Sequence, residues 1–184
     1  MTIVVAGLGR CGSSLVMQML NAGGVACVGA YPAFEEHEPE RWQHWDGKAV
    51  KILDPHRQRL PLRCVVIWLD RNPVEQAKSQ VKLLTACGVA VPTKATALMC
   101  QRLRQDRQQA LSVIGERPRP LLTVRFESLL SNPITETQRI ADFISVPLDR
   151  SAAVSQVVAR PPTCAPDMAM ELGLIERTEA VAPP

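Results

Sequence analysis

The chain has 184 residues and a formal net charge of +3, which is enough sequence for one α/β domain and too little charge to indicate a nucleic-acid partner. Its apolar runs have the length of strands, and its N-terminus has no basic segment typical of an export signal, so we expect no membrane span. We therefore predict a single domain over residues 1–184, with a Pro-rich C-terminal tail over about residues 161–184.

The cysteine and histidine residues form no disulfide or metal-site pattern. The six cysteines are scattered without a Cys-x-x-Cys pair, and the three histidines are not at ligand spacing. In a chain without an export signal, such cysteines are typical of reduced thiols in the cytoplasm. We therefore predict a cytoplasmic protein that holds no metal ion.

The chain begins with a strand, a glycine-rich loop and a helix. Residues 2–6 form a β-branched run typical of a buried strand, and apolar residues recur at helical spacing over residues 15–20. The loop between them, residues 7–14, reads Gly-Leu-Gly-Arg-Cys-Gly-Ser-Ser. Because glycines let backbone N–H groups turn toward one point beside a helix N-terminus, this arrangement predicts an oxyanion cradle. The alternative is a tight turn that holds no ligand.

The side chains of this loop add to its affinity for an anion. Arg10 supplies a fixed cation, and Ser13 and Ser14 supply hydroxyl donors. Cys11 is either a reactive thiol at a helix N-terminus or a small residue that fills the loop, and we favour the second interpretation.

An aromatic and acidic stretch follows. Residues 25–28 are apolar and predict a second short strand, and prolines interrupt residues 29–47. This irregular stretch contains four of the seven aromatic residues of the chain, interleaved with carboxylates and histidines. Since charged groups are rare in a core, the stretch predicts the wall or lid of a binding site rather than core packing.

The remaining elements alternate between strands and helices. We predict strands over residues 49–53, 64–69 and 121–125. We predict helices over residues 73–87, 95–114, 134–144 and about 150–159. The first of these helices has an apolar face formed by Val74, Ala77, Val81 and Leu84. Alternation of this kind predicts an α/β fold, a three-layer α/β/α sandwich with a mainly parallel, P-loop-like sheet.

The opening loop departs by one residue from the ATP-binding pattern Gly-x4-Gly-Lys-Ser/Thr. Ser13 stands where that pattern has the lysine that reaches the β- and γ-phosphates. Asp70, at the end of an apolar strand, has the position of a Mg²⁺-holding acidic residue. Because the lysine is missing, an ATP- and Mg²⁺-dependent kinase is the alternative and not the main interpretation.

Three stretches of the chain resemble motifs of the sulfotransferase family. Residues 10–15 resemble the family's 5′-phosphosulfate loop, Lys/Arg-Ser-Gly-Thr-Thr and an apolar residue. Arg71, followed eight residues later by Ser79, resembles its 3′-phosphate motif. Residues 124–129 resemble a third stretch, Arg-Tyr-Glu-Asp-Leu. The resemblance covers most of residues 2–145, with the motifs in the family's order.

The resemblance implies the donor 3′-phosphoadenosine 5′-phosphosulfate (PAPS), its product 3′,5′-adenosine bisphosphate (PAP), and no metal. By position, the 5′-phosphosulfate would be held by Gly9, Arg10, Cys11, Gly12, Ser13 and Ser14. Arg71 and Ser79 would hold the 3′-phosphate. Phe126 has the position of a tyrosine near the adenine, so it either stacks on the base or packs in the core. The family's C-terminal Arg-Lys-Gly segment is missing, and we predict Arg160 as its substitute.

The resemblance also implies catalytic roles. Sulfuryl transfer builds negative charge on the leaving phosphate oxygen, which Arg10 and the loop N–H groups would stabilise. For the general base that the acceptor needs, we rank Glu36 and Glu35 ahead of His37. Lys51 resembles a family lysine that polarises the sulfonate, and its alternative role is an edge-strand charge.

The sequence thus predicts a sulfotransferase that moves a sulfuryl group from PAPS to a hydroxyl or amine of an unidentified acceptor, either a small molecule or a larger one. The chain is short for this family. Either the acceptor pocket is reduced, or a large acceptor or a second subunit in a homo-oligomer completes it. A non-catalytic phosphonucleotide-binding module is a second alternative.

Overall fold

A four-stranded, all-parallel β-sheet lies at the centre of the part of the chain that the computed structural model describes, residues 1–35, 45–165 and 168. The strands are β1 (Thr2–Gly7), β2 (Ala49–Leu53), β3 (Cys64–Asp70) and β4 (Leu121–Arg125). Their order in the sheet is β2-β1-β3-β4. The helices are α1 (Ser13–Ala22), α2 (Pro73–Ala86), α3 (Ala95–Gly115), α4 (Phe126–Ser131), α5 (Pro133–Phe143) and α6 (Arg150–Ser155).

The two faces of the sheet carry two separate hydrophobic cores, because successive side chains of a strand point to opposite faces. Val5 and Ile67 belong to the core that α1, α4, α5 and α6 cover. Val4 and Val66 belong to the core that α2 and α3 cover. This arrangement confirms the predicted three-layer α/β/α sandwich with a parallel sheet. No helix within the described ranges is long and apolar enough to cross a membrane.

The strand order changes direction between β1 and β3. The chain leaves β1 through α1 toward β2, whereas it leaves β3 through α2 and α3 toward β4 on the other side. In open parallel sheets, a crevice for ligands forms at the carboxyl ends of the strands at such a point. The glycine-rich loop after β1 lies there.

Two predicted elements differ from the structure. The predicted strand over residues 25–28 is only a single bridge between Cys27 and Ala49, since Gly24 and Gly29 on either side adopt positive φ angles and turn the chain. Helix α6 ends at Ser155 instead of about residue 159.

The predicted apolar face of α2 is also wrong in part. Ala77 is buried, but Val74 is 41% exposed, and the other buried residues of the helix are Gln76 and Ser79. The physical reason is that this face of α2 packs against the polar backbone of the glycine-rich loop, where hydrogen-bonding side chains are needed.

The aromatic residues of the irregular stretch that the structure describes pack with the two hydrophobic cores. Phe34 and Trp45 are buried, one in each hydrophobic core, and Tyr31 packs edge-on against Phe34 with ring centroids 5.8 Å apart. For these residues the prediction of a binding-site wall in place of core packing is therefore wrong. Residues 36–44 lie outside the described part of the chain, and these include Glu36 and His37, two of the predicted candidates for the general base.

Leu129→Ala tests the core beneath the helices that cover β4. Leu129 is fully buried, so we expect its truncation to lower the free energy of unfolding by about 2–5 kcal/mol. The control is Leu62→Ala, a side chain that is 71% exposed, for which we expect a change within about 0.5 kcal/mol. Urea unfolding measures both, and equal effects would contradict the assignment of the core.

Candidate functional site

A cavity of about 570 Å³ opens at the carboxyl ends of β1, β2 and β3. The glycine-rich loop, the first turn of α1, one side of α2 and the segment after α6 form its walls. Among the residues that the structure describes, its charged lining residues are Arg10, Glu35, Lys51, Asp54, Arg71 and Arg160. Four of these six residues are cations and two are carboxylates, so the cavity favours an anionic ligand.

Gly12 shapes the floor of the cavity. It is the N-cap of α1 with φ 99°, a conformation that favours glycine, and a Cβ atom there would overlap the ring of Phe126. As a glycine, this N-cap residue supplies no side-chain cap to the helix. Ser13 and Ser14 of the first turn lie at the cavity wall, where backbone N–H groups and the helix dipole favour an anion.

Two glutamines of α2 hold the carbonyl groups of the loop. The Nε2 atom of Gln76 donates to the carbonyl oxygens of Leu8 (3.1 Å) and Gly9 (2.9 Å), and that of Gln80 donates to Gly9 (2.7 Å). Carbonyl oxygens repel anions. These hydrogen bonds hold the carbonyl oxygens of the loop toward α2. Neither glutamine was predicted from the sequence, although their i, i+4 spacing on the helix after β3 is a visible signal.

Arginine side chains gather on the α2 side of the cavity. The Nη1 atom of Arg71 donates to the carbonyl oxygen of Arg10 (2.9 Å), and the Nε atom of Arg10 donates to the hydroxyl oxygen of Ser79 (3.1 Å). Burial lowers the pKa of Arg71, and the positive charge of Arg160 lowers it further. A bound anion would relieve this repulsion.

Phe126 supports two of these arginines. Its ring is 2% exposed, with the guanidinium carbon of Arg71 4.6 Å and that of Arg160 5.3 Å from the ring centroid. A base can stack only on an open ring face, so the structure favours the packing interpretation of Phe126 over adenine stacking.

The segment after α6 crosses α2 and brings Arg160 to the cavity. The backbone N–H of Cys164 donates to Glu75 (2.7 Å), and Lys82 donates to the carbonyl oxygen of Ala165 (2.7 Å). The pKa of the Glu75 carboxyl is lowered by the hydrogen bond from Lys78 and by that from the Cys164 N–H. Arg160 therefore lies on the wall of the same cavity as Arg71.

Lys51 is buried, although β2 is an edge strand. Its side chain is 3% exposed, and its Nζ atom contacts the Ser14 hydroxyl (3.3 Å), the Glu35 carboxylate (3.2 Å) and the Ala33 carbonyl oxygen. Burial lowers the pKa of Lys51, and the Glu35 carboxylate partly offsets this effect. The structure thus excludes a solvated edge-strand charge and joins Lys51 to the loop and Glu35.

Two further sequence candidates lie away from the cavity. The Cys11 side chain is fully buried in the core, and burial raises the pKa of its thiol to about 11, which favours the loop-filling interpretation over a reactive thiol. Asp70 forms an ion pair with Arg107 of α3 (2.8 Å) and does not line the cavity. In the described ranges no three acidic, histidine or cysteine residues are grouped as metal ligands.

The fold is that of the sulfotransferases. No family model matches the chain, and no curated protein matches it. The sulfotransferase domain of the Synechococcus PCC 7002 olefin synthase is similar in structure, with a TM-score of 0.61, 16% sequence identity, and coverage of 100% of this chain and 88% of that chain. The resemblance seen in the sequence is therefore confirmed at the level of the fold.

Two other similar structures contain PAP. One is retinol dehydratase in complex with androsterone and PAP, with a TM-score of 0.62 and 12% identity over 98% of this chain and 79% of that chain. The other is a mouse sulfotransferase with PAP, with a TM-score of 0.60 and 15% identity over 84% of this chain and 63% of that chain.

Gly12→Ala tests the geometry of the loop. Because Gly12 has a positive φ angle and no room for a Cβ atom, we expect a loss of about 1–3 kcal/mol in the free energy of unfolding. The matched control is Gly115→Ala, at the end of α3, where a Cβ atom meets nothing. Urea unfolding compares the two, and a Gly12→Ala protein as stable as the control would show that the loop does not need glycine there.

Proposed function

We propose that this protein is a sulfotransferase that uses PAPS as its donor and transfers the sulfuryl group to a hydroxyl or amine of an acceptor. The observation that carries the proposal is the convergence of four cations on one cavity, at the N-terminus of α1. The similarity in fold to PAP-bound proteins supports it.

The residues of the cavity fit the donor. PAPS carries anionic groups at both ends of its ribose, and the cavity has cations on two sides: Lys51 beside β2, and the arginines beside α2. The volume of about 570 Å³ lies in the range of roughly 300–1,000 Å³ that is usual for small-molecule sites. The match in charge and size supports a phosphonucleotide ligand.

We assign the ligand groups to the residues as follows. The 5′-phosphosulfate would be bound by the backbone N–H groups around Gly9 and Gly12, with the Ser13 and Ser14 hydroxyls. Arg71 and Arg160 would bind the 3′-phosphate. Cys11 contributes only its backbone to the loop, since its side chain is in the core.

The donor supplies an activated sulfuryl group for in-line displacement by the acceptor. Lys51 and the positive end of α1 would offset the negative charge that grows on the oxygen atoms near Ser14. Glu35 is half exposed, lines the cavity and is held by Lys51, so it is our candidate for the base that takes the acceptor proton.

Two side chains that an ATP- and Mg²⁺-dependent kinase needs are not available in this loop and at the end of β3. Ser13 replaces the phosphate-binding lysine, and Asp70 is engaged with Arg107 on the α3 side.

The sequence supports four further proposals. They are the hydroxyl or amine acceptor, a single domain over the whole chain, a homo-oligomer and a cytoplasmic location.

Ligand-induced thermal stabilisation tests the proposed function. A ligand that binds the folded state at one hundred times its dissociation constant adds roughly 2.7 kcal/mol of stability. We expect PAP to stabilise the protein and ATP with Mg²⁺ to do so much less. Stabilisation by ATP with Mg²⁺ but not by PAP would favour the kinase. Tight PAP binding without transfer to any acceptor, in a screen with labelled PAPS, would favour the binding module.

The same assay with Arg71→Ala locates the ligand. We expect the free energy of PAP binding to become less favourable by about 1.5–3 kcal/mol, the range for a hydrogen bond to a charged group. The control is Arg102→Ala, which removes an exposed arginine paired with Asp106 on α3, away from the cavity. Unchanged PAP affinity in Arg71→Ala would contradict the assignment of the 3′-phosphate.

A further inference from the structure

The helical hairpin that consists of α2, the connection over residues 87–94 and α3 carries charge of one sign. Residues 76–105 contain no Asp or Glu, although the chain has 18 of them. The same segment contains five cations, namely Lys78, Lys82, Lys94, Arg102 and Arg104. The two carboxylates that flank it, at positions 75 and 106, each pair with one of these cations. Even with both carboxylates included, positive charge is in excess on this hairpin.

The end of the hairpin exposes apolar side chains. Residues 83–99, which we call the hairpin tip, contain Lys94 as their single charged residue. Val89 is 47% exposed and Leu98 is 58% exposed, and small apolar residues of the connection are exposed beside them. An exposed apolar end on a charged hairpin is typical of an interaction surface.

The backbone holds this apolar end in one conformation. Helix α2 ends in a Schellman motif, in which Gly88 has a φ angle of 78° and donates to the carbonyl oxygen of Thr85. The N–H of Val89 donates to the carbonyl oxygen of Leu84 at 2.9 Å. An apolar residue after the glycine of such a motif often packs back on the helix, whereas Val89 remains about half exposed. A fixed turn therefore presents Val89 to the surroundings.

The hairpin tip also forms part of the cavity wall. Leu83 and Leu84, near the end of α2, and Met99, near the start of α3, line the cavity. Met99 adjoins the exposed Leu98 in sequence, and Leu84 accepts the backbone hydrogen bond from Val89. The exposed apolar end therefore lies next to the apolar side of the cavity.

A lipid surface that contains anionic headgroups fits this combination of charge and apolar area. Proteins that lie on such a surface insert apolar side chains by about 5–10 Å and place cations among the headgroups. Lys94 is the N-cap of α3 at the tip itself, and Arg102 lies about 10 Å further along that helix. When the hairpin docks end-on with Val89 and Leu98 inserted, both cations are at the level of the headgroups.

A second copy of the chain fits the hairpin tip less well. A symmetric contact would bring two surfaces with an excess of positive charge together, and juxtaposed like charges oppose association. Anionic lipids instead supply the opposite charge, and the acyl chains beneath them supply an apolar environment for the tip.

We propose that the hairpin tip docks on a membrane surface that contains anionic lipids, with Val89 and Leu98 inserted and with Lys94 and Arg102 in contact with the headgroups. The protein then lies on the membrane, and no helix of its described part has to cross it. Docking turns the apolar side of the cavity toward the lipid. The inference does not depend on the proposed function.

Co-sedimentation of the full chain with lipid vesicles tests the docking. We expect binding to vesicles of phosphatidylcholine and phosphatidylserine, with binding to phosphatidylcholine alone weaker by at least about tenfold. Binding should also weaken as salt is raised, because salt screens exposed charges. No binding to either kind of vesicle, or equal binding to both, would overturn the proposal.

Val89→Asp and Lys94→Glu test whether the hairpin tip is the docking surface. We expect each to weaken binding to the phosphatidylserine vesicles by about tenfold or more, because one places a charge in the inserted end and the other reverses a cation. The matched controls are Ile134→Asp, at a 74% exposed position of α5, and Lys48→Glu, at the end of the sheet away from the cavity.

The controls should bind like the unmodified protein, and urea unfolding checks that all four variants are folded. Equal losses in variants and controls would overturn the proposal. Unchanged binding in Val89→Asp would also overturn it, because the contact would then be electrostatic alone, as with a nucleic acid or an acidic protein. A dimer in sedimentation equilibrium that Leu98→Asp dissociates would assign the tip to a second copy instead.

A dye on Cys87 supplies a readout on the otherwise unmodified chain. Cys87 follows α2 and is exposed, whereas the other five cysteines are buried or partly buried. We expect the emission of a polarity-sensitive dye on its thiol to shift to the blue with phosphatidylserine vesicles. Cys87→Ser protein treated with the same dye should show no shift. Sedimentation with the vesicles without a blue shift would show that another surface docks, and would overturn the proposal.

Discussion

The backbone of the glycine-rich loop is the constraint on which the site depends. Its N–H groups can face the cavity only if its carbonyl groups are bonded elsewhere, and the side chains of Gln76, Gln80 and Arg71 accomplish this from α2 and its N-terminal end. Gly12 must adopt a positive φ angle above the Phe126 ring for α1 to begin there. The strand order makes these bonds to the loop possible, because it places β3, and hence α2, directly beside β1.

The cations of the cavity act as two groups held by different parts of the fold. Lys51 is fixed by β2, Ser14 and Glu35, and its burial makes its charge sensitive to any anion that replaces water. Arg71 and Arg160 are held over the Phe126 ring, and the segment that crosses α2 carries Arg160. A ligand with negative charges at both ends of a nucleoside would offset the positive charge of both groups. The packing that holds these cations thus supports the proposed chemistry.

Local signals in the sequence were sufficient for the framework of this protein. The apolar runs predicted β1 to β4 within a residue or two, and the structure places Arg71 and Ser79 beside the glycine-rich loop. Long-range contacts were not visible. No periodicity shows that Arg10 bonds to Ser79, that an edge-strand lysine is buried, or that Phe34 and Trp45 are core residues. Each of these depends on which elements are neighbours in space.

A crystal structure of the complex with PAP tests the central claim most directly, that one cavity binds a nucleotide by both of its ends. The account predicts the 5′-phosphate at the N-terminus of α1, within hydrogen-bond distance of the loop N–H groups, and the 3′-phosphate between the guanidinium groups of Arg71 and Arg160. A complex in which the 3′-phosphate points to solvent, or in which PAP binds outside the cavity, would contradict it.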